Sequence, residues 1–217
     1  MDQAVLLALA LAGAAWGFAS DRLAARWPAH EDGSIRPIDW RTPVVVLAGA
    51  AAFAGTVLRF GAEEPITFVV VGVYVLALVV LFATDLDQRL LPNVITFPLV
   101  AFALLAFATG SGPFVHTLEE LGWAAAAAIG VPLGLFLLAK PFGEGAIGEG
   151  DLKLLVSVGL LAGAQNLFYG LITGALVAGV VVAILVFVRR LTLKSFVPYG
   201  PFLIAGTLWA ILALPRP

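Results

Sequence analysis

Apolar runs of about twenty residues recur along this chain, and its charges fall almost wholly between them. A run that long matches the ~30 Å hydrocarbon layer of a bilayer when coiled as a helix. Inside lipid every backbone N–H and C=O must find a partner within the protein, so such a run has to be helical. Eight spans are predicted, at about 3–24, 43–60, 65–84, 93–109, 119–139, 152–164, 166–188 and 198–215. The sixth is short, and only Gly163–Asn166 separates it from the seventh. The expected fold is therefore an all-α, polytopic membrane helix bundle.

Composition agrees. Of 217 residues, 61% are hydrophobic and 12% charged, against about 25% charged in soluble domains. No polar stretch is long enough for a second domain, so residues 1–217 are expected to form one integral-membrane domain with a short loop at about 27–42. The first run, Ala4–Ala19, follows Asp2 rather than a basic segment, and it is predicted to be a retained span rather than a cleaved signal. The absence of cysteine excludes disulfides, thiolate zinc sites and thiol nucleophiles. The net charge of −2 says nothing about a nucleic-acid partner, no basic tract suggests one, and none is expected.

Orientation follows from Lys and Arg in short loops. Ten of the twelve cations fall in the odd-numbered loops or at their borders, leaving Arg59 and Arg216. Those loops are predicted to be cytoplasmic, with both termini outside. His30 and His116 then lie on opposite faces, where each is expected to be an ordinary loop residue rather than a ligand. No metal is expected. Gly130 with Gly134 and Gly170 with Gly174 form small-xxx-small pairs, expected to serve helix packing.

One polar island interrupts this pattern: Gly148-Glu149-Gly150-Asp151-Leu152-Lys153. Ionisable groups at membrane depth mark functional sites. Asp151 after glycine and before Leu-Lys-Leu-Leu also fits a plain helix N-cap. A second acid-bearing stretch, Thr84-Asp85-Leu86-Asp87-Gln88-Arg89-Leu90-Leu91-Pro92-Asn93, ends the third span. Asp85 lies closest to the membrane, although its spacing to Arg89 also suits a surface ion pair. Pro92 and Asn93 restart a helix, Pro suiting a first turn. Both acids lie at cytoplasmic ends in the expected topology, so they can meet across the bundle. Two facing carboxylates at low dielectric do not both ionise, and they share a proton. Such a pair activates water, one member taking its proton while the other donates to a carbonyl. Gly148 and Gly150 admit close backbone approach. An ion-coupled carrier can use the same pair, so the residues alone leave both readings open.

Gly148-Glu149-Gly150-Asp151 matches the GxGD signature of intramembrane aspartic proteases. Together with 85–93 and Val197-Pro198-Tyr199-Gly200-Pro201-Phe202, it resembles the type IV prepilin peptidase family, and also the shorter preflagellin peptidases. Gly17-Phe18 and Arg26-Trp27-Pro28 agree more loosely. The resemblance implies Asp85 and Asp151 as the catalytic pair, with Gly148, Gly150, Lys153, Asp87, Pro92 and Asn93 in support. It implies an endopeptidase of the inner membrane, acting near the cytoplasmic side. The substrate would be a prepilin or pseudopilin of the type IV pilus or protein-secretion systems, with a basic leader and an apolar helix held in membrane lipid. Cleavage would fall after Gly and before a residue that is commonly Phe. Asp87, Glu144 and Glu149 are placed to attract the basic leader, and Lys153 either to orient Asp151 or to snorkel. Proteolysis of this kind requires no cofactor. Many family members also methylate the new terminus with S-adenosylmethionine, a function associated with a large cysteine-bearing insert in the first loop. This chain has no cysteine and only about 16 residues there, so the methyl donor enters only if that activity is retained. Besides the carrier, an inactive relative with both acids and no substrate groove is the remaining alternative.

Overall fold

The computed structural model describes residues 3–63, 65–143, 147–189 and 199–214. Among these residues the secondary structure is helical: α1 Gln3–Ala24, α2 Arg41–Phe60, α3 Pro65–Gln88, α4 Asn93–Ala108, α5 Leu118–Ala139, α6 Glu149–Phe187 and α7 Gly200–Ala213, with a 3₁₀ turn at Lys140–Phe142. Five helices (α1, α2, α3, α5 and α6) are long and apolar enough to cross a membrane. The chain is thus a multi-pass, all-α membrane bundle.

Two features bear on the expected count of eight spans, which the five membrane-length helices do not establish. Helices α4 and α7, with 16 and 14 residues, are shorter than a usual span. The sixth and seventh expected spans are joined in one 39-residue helix, α6, broken at Gly163 with φ 80° and ψ 167°. That break is a reversal. A straight helix would carry Gly174 about 35 Å from Asp151. Instead Gly174 lies against Phe202, where an added Cβ would stand 2.6 Å from the Phe202 carbonyl oxygen, and Phe202 is two residues from the end of α7 that meets Asp151. Segments 149–162 and 164–187 therefore run antiparallel, and the turn between them sits by Val115 in the α4–α5 loop.

Helix α3 is the axis of the bundle. It touches α1, α2, α4 and α7, and Tyr74, Leu78 and Leu81 on it are fully buried. The Tyr74 and Ser157 hydroxyls join α3 to α6 at 3.0 Å, satisfying two polar groups in an apolar interior. Small residues set the other crossings. An added Cβ on Gly17 would stand 2.5 Å from the Val45 carbonyl oxygen of α2, and one on Gly170 3.2 Å from Thr207 of α7. Gly130 and Gly134 have no neighbour within 4 Å of such a Cβ, so the packing expected of that pair is not made among the described residues. Helix α5 starts with a reciprocal cap: Thr117 Oγ1 accepts the Glu120 N–H at 3.1 Å, and Glu120 Oε2 accepts the Thr117 N–H at 3.0 Å.

Candidate active site

The bundle brings three helix ends together. The first is the end of α3. Asp85, 5% exposed, lies in its last turn, and its carbonyl accepts the Arg89 N–H at 2.8 Å. Arg89 adopts a left-handed φ of 57° and stops the helix. Pro92 follows in extended conformation as the N-cap of α4, one position before the first-turn place expected of it, and Asn93 is the first helical residue.

The second end is the start of α6. Gly148 is the N-cap, and Asp151 sits three residues on, inside the first turn, rather than in the cap position. The Asp151 carboxylate turns back over Gly148: an added Cβ there would stand 3.0 Å from Asp151 Oδ2. Gly150 abuts the α3–α4 link, and a Cβ on it would lie 2.7 Å from that of Leu91. A larger residue at 150 would push the two acid-bearing segments apart.

The third end was not singled out from the sequence as part of the site. Gly200 opens α7 between the two acids. A Cβ there would collide with Asp85 Oδ2 and stand 3.0 Å from Asp151 Oδ1. The acids, 66 residues apart in sequence, thus face one another across the backbone of Gly200. Asp85 Oδ2 and Asp151 Oδ1 are both buried and have no hydrogen-bond partner among the described residues. Buried polar atoms are nearly always paired, so these two oxygens mark a place for a shared proton, a water molecule or a substrate group. Beside them opens a cleft of about 230 Å³, lined among others by Arg89, Leu91, Asn93, Gly148 and Lys153.

Lys153 Nζ donates to Asn93 Oδ1 at 3.1 Å and to Glu149 Oε2 at 3.2 Å, and lies 5.4 Å from the Phe97 ring centroid. Its bonds tie α6 to α4 at the rim of the cleft. Glu149 is exposed and holds that lysine. Glu144, and Val197 and Pro198 of the C-terminal motif, lie outside the described residues.

Asp87 faces elsewhere. Its side chain is 2% exposed, and it meets Arg36 Nε at 2.7 Å, His30 Nε2 at 3.2 Å and Arg41 Nη1 at 3.5 Å. All three partners come from the α1–α2 loop or its border, residues 25–41. Burial opposes the Arg36 charge, but its hydrogen bond to Asp21 and the charges of Asp21, Asp87 and Asp39 outweigh that, so its pKa stands above the usual value. The expectation of no more than a short loop at about 27–42 missed this pairing. The one available signal was the balance of acids and arginines in that stretch.

The sequence model of the type IV leader peptidase family matches residues 72–214, well over half of the chain and inclusive of both acids. The chain belongs to the type IV leader peptidase family. Within the type IV leader peptidases it is 30% identical over 174 residues to the prepilin leader peptidase/N-methyltransferase of Burkholderia pseudomallei (strain 1026b), covering 78% of this chain and 54% of that protein. It is 26% identical over 177 residues to the protein of the same name from Bacillus subtilis (strain 168), covering 81% and 67%. The Aeromonas hydrophila protein of that name is 36% identical over 134 residues, covering 59% and 44%. The chain spans about half the length of the first of these relatives. No solved structure matches it.

Proposed function

We propose that this chain is a membrane aspartic endopeptidase. It would remove the basic leader of a prepilin or pseudopilin at the cytoplasmic face of the inner membrane. The observation that carries this reading is the convergence of Asp85 and Asp151 on Gly200, with one buried, unpartnered oxygen from each. Family membership supports hydrolysis over the ion-coupled carrier, and the relatives' names supply the substrate class.

In the proposed mechanism the two carboxylates share one proton. The ionised member takes a proton from water as its oxygen attacks the scissile carbonyl carbon. The protonated member donates to the carbonyl oxygen. Collapse of the tetrahedral intermediate breaks the C–N bond, and the proton gained from water passes to the leaving amine. The 230 Å³ cleft has room for a few backbone atoms of an extended peptide. An apolar substrate stem would stay in lipid while the leader reaches the helix ends.

The reaction as drawn uses water and two carboxylates, with no cofactor. The relatives' names also include N-methyltransferase. Here Arg36 and Asp39 of the α1–α2 loop pair with each other, and Arg36 also with Asp21 and Asp87, whereas a methyl donor such as S-adenosylmethionine has no part in the proposed reaction. What is proposed for this chain is peptide hydrolysis alone.

Co-expression with a prepilin-like substrate tests it, using a basic leader, a Gly-Phe junction and an apolar helix. Leader removal, followed as a mobility shift, is expected for the wild type and abolished in Asp85→Asn and in Asp151→Asn. Cleavage that survives either substitution would sink the paired-acid mechanism.

A further inference from the structure

Among the charged groups of residues 21–41, which take no part in that chemistry, Asp21 and Arg36 are buried and Arg22, Asp39 and Arg41 half-buried. Arg36 is 8% exposed, and three acids from three elements close on its guanidinium: Asp21 of α1, Asp39 of the loop at 2.6 Å, and Asp87 of α3 at 2.7 Å. Arg22 bonds Asp21 at 2.6 Å, and Arg41 lies 3.1 Å from Asp39. The three acids are balanced by three arginines, a neutral set in which breaking one pair strands a buried charge. Gln88 adds neutral ties, donating to the Pro28 carbonyl at 2.7 Å and the Ala24 carbonyl at 3.3 Å.

These ties fall on the last two residues of α3. Asp85 is two residues earlier, and two helical steps turn the side chain by about 200°. One turn of helix therefore presents Asp85 to Asp151 and Gly200 on one side and Asp87 to the loop on the other. Four residues past Asp85 the helix stops at Arg89. Terminal turns open at low free energy unless held from outside.

We propose that Arg36 and Asp87 are positioning residues for Asp85. Their ion pair pins the last turn of α3 to the α1–α2 loop, which makes that loop a brace of the active site rather than a reader of the leader. This rests on the peptidase reading above and adds to it which residues hold the dyad in register. A displacement of about 1 Å at a reacting group costs on the order of 100-fold in rate, so loss of the brace acts on the chemical step.

The test uses the full chain in detergent with the same prepilin-like substrate, comparing Arg36→Gln, Asp87→Asn, the double variant and Gln88→Ala. The expected result is a kcat lowered about 10- to 100-fold in each charge variant, with KM changed by less than about twofold. The losses should be less than additive in the double variant, because the two singles share the Arg36–Asp87 pair. Gln88→Ala cuts a tie without stranding a charge and should lower kcat about threefold at unchanged KM. Spin labels on Ser34→Cys and Leu90→Cys, in a chain without other cysteines, should give a distance distribution that broadens in Arg36→Gln. A raised KM at unchanged kcat, additive losses, or wild-type kinetics would each overturn the proposal. Should the charge variants fail to fold, wild-type kcat in Gln88→Ala would overturn it as well. Asp85→Asn keeps the outcomes apart: cleavage in that variant defeats the dyad itself, whatever the loop variants do.

Discussion

Gly200 is the residue on which the candidate site turns. Its missing side chain is the space in which both carboxylates stand. Gly200→Ala should leave expression and membrane insertion intact, yet lower leader cleavage by ~100-fold or more, since the new methyl displaces both acids. A cleavage time course on detergent-purified enzyme, beside a thermal unfolding curve, reads the two effects separately. Wild-type cleavage in this variant would show that the acids do not meet at Gly200. Asp85 and Asp151 were legible in the sequence because an acid bordering an apolar run is costly and so stands out. Gly200 was quoted there as part of a motif, but its contact with the acids depends on how α7 packs, which no local pattern encodes. Asp87 was misjudged for the same reason. Two residues from Asp85 it was expected to attract a basic leader, whereas Arg36, 51 residues earlier, neutralises it.

Among the elements, α6 carries the sharpest conformational demand. Gly163 holds φ 80° and ψ 167°, a region reached almost solely by glycine. Gly163→Ala should destabilise the bundle by about 1–3 kcal/mol, measurable as a lower unfolding midpoint in a denaturant titration of the detergent-solubilised protein. An unchanged midpoint would mean that the reversal is not needed for stability. The apolar runs were plain in the sequence, and so was the weak break at 163–166. The ends of α4 and α7 were less so. Apolar residues continue beyond these helices, as Leu90-Leu91 before α4 and Phe196-Val197 before α7. A window of apolar residues does not report where backbone pairing begins or ends. The close crossing of α6 with α7 at Gly170 and Gly174 was foreseen as packing. The bare glycine face of α5 shows that the same pattern carries no guarantee of an internal partner.

Across the whole molecule, the cation-rich connections share one end with the acids. The α1–α2 loop meets Asp87, the α3–α4 link lines the cleft, and the start of α7 touches both carboxylates. The opposite end holds the α4–α5 loop and the Gly163 turn. The lack of cysteine makes this arrangement directly testable. Single cysteines replacing Ser34 and Ile147 should react with a membrane-impermeant maleimide only after the cytoplasmic face is opened. Cysteines replacing Ala62 and Gly110 should react in intact cells. A mixed pattern within either pair would refute the common end. The cytoplasmic side assigned to that end is an expectation from the Lys and Arg of the short loops, which the labelling tests. The depth of the acids was not legible in the sequence, because it depends on how far each helix runs beyond the membrane.

The placement of Gly200 also bears on synthesis. The two acids come from the third and sixth helices, and the backbone that packs between them from the seventh. A ribosome must release some two hundred residues before the pocket has its third wall. Until then the two carboxylates lack the backbone that packs between them. Under the proposed peptidase reading, a chain made in this order carries no finished cutting centre while its own apolar segments are still threading into the bilayer.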